Sequence, residues 1–213
     1  MPSIIALPVL LESGDRLSRQ EFHRRFCLHP ELKKAELVEG VVYVPSPARF
    51  TQHAEPQRSI VLWLRIYAIR HPGTTCGFEA TIYLDEKNEV QPDAFLLFRD
   101  PPPGGARVRD YGYIEGAPPL IVEVAASSAS YDLHDKLQAY QRAGVVEYLV
   151  WRVYDQAIDW FRLQDGAYLR VEPDEGDIIE SHTFPGLRLN VARLLAGDEV
   201  AVLAELEAPS AAV

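Results

Sequence analysis

The sequence predicts an α+β chain, close to α/β in its early order, with an antiparallel β meander in its C-terminal half. Three observations carry this. Apolar positions recur at helical spacing between Thr51 and His71; Leu120–Ala125 (LIVEVA) is a near-continuous apolar run; and three short β-rich segments follow Gly144, separated by turn residues. With 213 residues, 47% hydrophobic and 24% charged, the chain has the composition of one folded domain and is unlike a disordered one. We expect a single domain over 1–213.

The elements follow in order. Ser18 with Glu21 three residues later is a capping-box pattern that opens a short helix carrying Phe22 and Phe26. AELVEG (Ala35–Gly40) and VVYV (Val41–Val44) read as a β-hairpin turning at Gly40. Ile60, Trp63, Leu64 and Tyr67 mark a long amphipathic helix that ends before Pro72 and Gly73, with Pro56 limiting its start. FEATIYL (Phe78–Leu84) and VQPDAFLLF (Val90–Phe98) each read as a strand, with a turn at DEKN between them. Arg99–Ala117 is rich in Pro and Gly and has no period, so a long flexible loop is expected.

LIVEVA then has the pattern of a strand covered on both faces. Ser127, Ser128 and Ser130 offer N-caps for a helix through about Arg142, stopped by Gly144. EYLVWRV, AIDWFRL and AYLRV form the meander, with turns at Asp155-Gln156 and Asp165-Gly166; Val191–Leu206 reads as one helix and the tail from Glu207 as frayed.

Charge and composition narrow the function classes. A net charge of -10 argues against a protein that coats nucleic acid nonspecifically. No apolar run reaches the roughly 18 to 20 residues of a membrane helix, and the start MPSIIALPVLLESGD has no basic leader region, so a soluble cytoplasmic protein is expected. Cys27 and Cys76 lie too far apart for a Cys-x-x-Cys motif.

The chemistry concentrates on residues that interrupt the apolar pattern. Asp93 and Glu123 each fall in an expected buried strand, where an unpaired carboxylate costs several kcal/mol. A hard divalent cation such as Mg²⁺ accounts for both, since it takes carboxylate oxygens plus water. Asp132, Lys136 and Tyr140 share a helix face at i, i+4 and i+8. An ammonium delivered by Lys136 orients an attacking water and stabilises charge on a phosphate, so the set suits phosphodiester hydrolysis. The serines after Glu123 lack a Gly-x-Ser-x-Gly elbow, and helix capping accounts for them. No Walker-type Gly-rich loop is present, which weighs against a small-phosphoester hydrolase.

Taken together, AELVEGVVYVPSP with the following His53, QPDAFLLF, PPLIVEVAASSASYD, DKLQAYQRAGVVEYLVW and FPGLRLN resemble the Uma-two family of endonucleases in the PD-(D/E)XK nuclease superfamily. The resemblance implies a restriction endonuclease-like core, a mixed β-sheet flanked by helices, and a site that uses Mg²⁺ or Mn²⁺. By position Asp93 resembles the motif aspartate and Glu123 the motif acid. Two residues beyond that acid, where the superfamily usually has lysine, stands Ala125; this family takes its lysine from the next helix, which matches Lys136. His53 resembles a recurrent family histidine, and Glu79, read on the preceding strand, is a further candidate metal ligand. The expected partner is nucleic acid, with DNA first, and a homodimer is the expected assembly. The competing expectation is a catalytically inactive nuclease fold that acts in nucleic-acid binding or assembly. Arg99, Arg107 and Arg109 are candidates for backbone contact.

Overall fold

The Ser18 capping box forms as its spacing requires. In the computed structural model, which describes residues 10–206, Ser18 Oγ accepts from the Glu21 amide at 3.3 Å and opens helix α1 (Arg19–Cys27). Phe22 is buried on this helix and stacks on Phe26 at a ring separation of 5.8 Å. The hairpin follows as strands β1 (Glu36–Val38) and β2 (Val41–Tyr43). Its two turn residues, Glu39 and Gly40, have φ of 52° and 75°, the doubly left-handed backbone that matches the twist of a tight hairpin. A π-helical turn (Phe50–Ala54) then leads into α2 (Glu55–Arg70), with Pro56 in its first turn, where proline is tolerated. The face of α2 that the periodicity picks out is buried: Ile60, Trp63 and Leu64 are fully enclosed and Tyr67 nearly so, each worth roughly 1.5–3 kcal/mol of apolar burial.

Two expected strands are each split, and the splits place the site. FEATIYL is not one strand: β3 (Thr74–Gly77) ends just before it, β4 (Ile82–Asp85) takes in only its last three residues, and Glu79 lies between them with a left-handed φ of 49°. VQPDAFLLF likewise divides into β5 (Asn88–Val90) and β6 (Ala94–Phe98), because Pro92 has no N–H to give to a ladder. The chain crosses from one sheet to another at each break. The breaks are tied together, since the Glu79 amide donates to the Pro92 carbonyl at 2.9 Å.

The aperiodic Arg99–Ala117 segment is also more regular than expected. It contains β7 (Arg107–Val108) and β8 (Ile114–Glu115), two short strands stabilised by pairing with each other and with β4. LIVEVA is β9 (Leu120–Ala125), and all six of its residues are buried. The next helix is composite: α3 (Ala129–Tyr131), a π-helical turn (Asp132–Lys136) and α4 (Leu137–Ala143), closed by Gly144 at φ 86°. Ser128 occupies its N-cap position but makes no side-chain cap bond. The meander forms as β10 (Glu147–Arg152), β11 (Ala157–Gln164) and β12 (Ala167–Val171). A small hairpin, β13 (Ile178–Glu180) with β14 (Arg188–Asn190), precedes α5 (Val191–Leu195) and α6 (Glu199–Ala204). The single C-terminal helix expected there is two, because Gly197 turns left-handed at φ 74° and Asp198 caps a new start on the Ala201 amide. The tail from Glu207 lies outside the described residues.

Among the described residues three sheets result. One has the order β2-β1-β5-β4-β8-β7, the central one β12-β11-β10-β9-β6-β3, and the third is β13-β14. The meander therefore continues the central sheet instead of forming its own layer. That sheet is mixed: β9 and β10 run parallel, linked through α3 and α4, and its other pairs are antiparallel. Its two faces carry separate cores. Ala94, Leu96, Leu120 and Val122 pack with α2, while Phe95, Leu97, Ile121 and Ala125 pack with α4 and the first sheet. Among the described residues no helix is long and apolar enough to cross a membrane.

Candidate active site

β6 and β9 pair antiparallel with Ala94 opposite Val122 and Phe95 opposite Ile121. The next step of that register brings Asp93 opposite Glu123. Strand alternation turns both toward the α4 face, the side occupied by Phe95 and Ile121. Both are almost fully buried, at 3% and 2% exposure.

Asp93 is heavily coordinated. Its Oδ2 accepts from the Val124 amide at 2.8 Å, and its Oδ1 lies 3.1 Å from Lys34 Nζ and 3.4 Å from His53 Nε2. Burial alone would raise its pKa, but the His53 ring, the Lys34 ammonium and the Val124 amide outweigh it and hold the carboxyl well below its ordinary range. Lys34 and His53 keep 25% and 22% of their side chains exposed, so they form the mouth of the site.

Glu123 faces the composite helix. Its Oε1 accepts from Lys136 Nζ at 2.9 Å and from the Tyr140 hydroxyl at 2.7 Å. Lys136 also lies 2.8 Å from Glu36 Oε2 and 3.8 Å from Asp132 Oδ1. The hairpin fixes Glu36 from the other side, because its Oε1 accepts the Gln91 amide at 2.8 Å. The face shared by Asp132, Lys136 and Tyr140 is thus directed at the strand acid. Lys136 and His53 each lie on a π-helical turn, a distortion found often at functional positions.

Four buried carboxylates (Asp93, Glu123, Glu36, Asp132) meet two ammonium groups (Lys34, Lys136), which leaves two negative charges uncompensated when all are ionised. Burial, with Asp93, Glu36 and Asp132 adding to it against the pull of Lys136, pushes the Glu123 pKa up to about 8. Burial likewise raises Asp132. Lys136 is held well above its ordinary value: its burial is outweighed by Glu123, Glu36 and Asp132.

This donor set fits a hard divalent cation. It is all oxygen on the acid side, it is short of positive charge by two, and Glu123 Oε2 takes no hydrogen bond among the described residues. Among the described residues no group of three or more His, Cys, Asp and Glu side chains forms a ready-made cage. An ion such as Mg²⁺ needs no such cage, since it can bind through one or two carboxylates and keep several waters.

The residues singled out in the sequence divide as follows. Asp93, Glu123, Lys136 and His53 come together. Glu79 is exposed and belongs to the inter-sheet crossing instead of a strand; Gln57 Nε2 donates both to Glu79 Oε1 and to the Asp93 carbonyl, each at 3.2 Å. Arg107 and Arg109 line a cavity of about 430 Å³ that shares no residue with the Asp93 cluster, and Arg109 pairs with Glu115. Lys34 and Glu36 were not anticipated. The one signal for them was their place at the entrance of a strand otherwise made of apolar residues.

Comparison with known proteins bears on the fold and the family. A solved structure of a putative nuclease belonging to DUF820 from Anabaena variabilis ATCC 29413 superposes with a TM-score of 0.60 at 18% identity, covering 81% of this chain and 96% of that one. At that identity the likeness shows a shared fold. No curated protein matches the chain. The family model for Uma2, putative restriction endonuclease, matches residues 19–192. The chain belongs to the Uma2 family of restriction endonuclease-like nucleases.

Proposed function

We propose that the protein is a divalent-metal-dependent endonuclease that hydrolyses phosphodiester bonds in DNA, with Asp93 and Glu123 holding Mg²⁺ or Mn²⁺. The observation that supports it is the cluster of four buried carboxylates with Lys136 and Lys34, whose charge shortfall, with all four acids ionised and His53 neutral, equals the charge of one divalent ion. Bound there, such an ion supplies an activated water and polarises a phosphoryl oxygen. The chain's own groups do the rest. Lys34 and His53, partly exposed beside Asp93, receive the scissile phosphate. Lys136 balances the charge on Glu123 and Glu36 and keeps Glu123 turned toward Asp93. Tyr140, on the same helix face as Lys136, donates to the same Glu123 oxygen and helps to fix the carboxyl.

The test is cleavage of supercoiled, linear and single-stranded DNA with Mg²⁺ or Mn²⁺, comparing wild type with Asp93→Asn, Glu123→Gln and Lys136→Met. Wild-type cleavage that the variants lose supports the reading. Equal cleavage by all four proteins would identify a contaminant and end it.

A second reading has its own observation. Lys34, His53 and Lys136 already sit on the carboxylate oxygens an ion would use, as they would in a nuclease fold that binds nucleic acid without cutting it. Calorimetric titration with Mn²⁺ separates the two: heat lost in Glu123→Gln supports the endonuclease, whereas no heat from wild type supports the binding protein.

A further inference from the structure

A second cluster of reactive side chains lies away from the Asp93 site, between α1, β4 and β5. Cys27, the last residue of α1, is exposed, and its Sγ lies 3.4 Å from His23 Nε2, one helical turn earlier. The other ring nitrogen, His23 Nδ1, lies 2.8 Å from Glu89 Oε1 on β5. Glu89 is 1% exposed and its second oxygen is buried with no hydrogen-bond partner. Sulfur and carboxylate thus engage opposite nitrogens of one imidazole. They cannot chelate a common ion, but they form the thiol, base and orienting acid of a nucleophilic relay.

The surroundings hold the ring in this pose. Tyr83 on β4 and Tyr113, in the turn between β7 and β8, meet the imidazole edge-on at 5.4 and 5.3 Å, and the Arg19 guanidinium lies 4.4 Å from the Tyr83 ring centroid. Glu89 Oε1 has His23 Nδ1 as its one hydrogen-bonding partner, which places the ring hydrogen on Nδ1 and turns Nε2 toward the Cys27 sulfur. The Tyr83 hydroxyl also lies 3.1 Å from Nε2, but burial holds its pKa well above the ordinary value, which leaves the Cys27 thiol, 3.4 Å away, as the donor that can give Nε2 a proton. The C-terminal end of α1 opposes a thiolate, and an imidazolium 3.4 Å from the sulfur offsets it.

We infer that Cys27, His23 and Glu89 form an activated thiol site that reacts with low-molecular-weight disulfides. Cys27 gives its proton to His23 Nε2, and the thiolate attacks one sulfur of R–S–S–R. A Cys27–S–S–R bond forms as the reagent's S–S bond breaks, and the departing R–S⁻ takes the proton from His23. Cys27 is oxidised to the mixed disulfide, and half of the reagent is reduced to a thiol. Glu89 acts through His23 and is a positioning residue.

The experiment follows the reaction of the full chain carrying Cys76→Ser with an aromatic disulfide at pH 6.5, where a simple thiol is only about 1% thiolate. We expect Cys27 to react at least tenfold faster than a short cysteine peptide, with mass spectrometry locating the adduct. His23→Gln should return the rate to within about twofold of the peptide, and Glu89→Gln should lower it at least threefold. The ultraviolet thiolate absorbance of the unreacted protein, relative to Cys27→Ser, should fall in both variants while their melting stays cooperative. A wild-type rate no greater than the peptide's overturns the inference without any variant, and so does an undiminished rate in a folded His23→Gln protein.

Discussion

Lys136 Nζ lies 2.9 Å from Glu123 Oε1 and 2.8 Å from Glu36 Oε2, so one buried ammonium joins the central strand β9 to the N-terminal hairpin. The helix that carries it starts four residues after β9 and returns over the same sheet face, which is how a lysine 13 positions downstream stands beside Glu123. Ala125, two residues after Glu123, is fully buried at the place where a lysine would have had to point. The charge comes from the helix because the strand position is packed with apolar neighbours.

Replacing Lys136 with Met should be costly, because Glu123, Glu36 and Asp132 would all lose their shared cation in a buried setting. Breaking a buried ion pair from one side costs about 3–5 kcal/mol. Urea unfolding of Lys136→Met should show a loss of that order, and a loss under about 1 kcal/mol would mean the ammonium is not a structural charge centre.

The two strand acids should respond to pH in opposite directions in chelator-treated protein. Glu123 is raised to about 8 in the fold from 4.5, so the folded chain holds its proton more tightly. Its contribution to stability is fully present below pH 4.5 and is lost as pH rises toward 8. Asp93 is depressed below 3.8, so its contribution is present above that pH and is lost as pH falls further. Stability measured against Glu123→Gln should therefore decline between pH 5 and 8 by a few kcal/mol, and a flat difference would contradict the raised value.

Gly77→Ala tests how tightly the Asp93 strand is packed. Gly77 pairs with Phe95, and a Cβ there would stand 2.3 Å from the Phe95 ring, which is 2% exposed. Overpacking of this kind costs about 1–3 kcal/mol. The expected result is a lower melting temperature and weaker Mn²⁺ binding, since Phe95 is two residues from Asp93. An unchanged melt would show that the ring has room to move.

Glu147 is a buried carboxylate of another kind. It accepts from Trp160 Nε1 at 2.8 Å, from Ser181 Oγ at 2.7 Å and from the Thr183 amide at 2.7 Å, all neutral donors. Glu147→Gln places an NH₂ group against a donor and should cost about 1–3 kcal/mol in denaturant unfolding. Metal binding per folded molecule should not change. A loss of Mn²⁺ affinity in the folded variant would break the distinction drawn between Glu147 and Glu123.

The sequence by itself determined the local elements and the core of the site. The Ser18 cap, the Glu39-Gly40 turn, the apolar stripe of α2 and the six-residue run of β9 are all set by interactions within one turn or one strand, which periodicity and turn chemistry report directly. Glu123 stood out because its apolar neighbours made its burial evident, and Lys136 because it shares a helix face with Tyr140. Only the tertiary structure decided what covers each apolar face. A period-2 pattern is the same whichever sheet a strand joins, so the splits at Glu79 and Pro92, where the chain changes sheets, were hidden within apparently continuous strands. For the same reason Lys34 and Glu36 could not be read as site residues. Lys34 pairs with Asp93 across 59 residues, and a charge contact of that range depends on how two sheets meet, which no local spacing encodes.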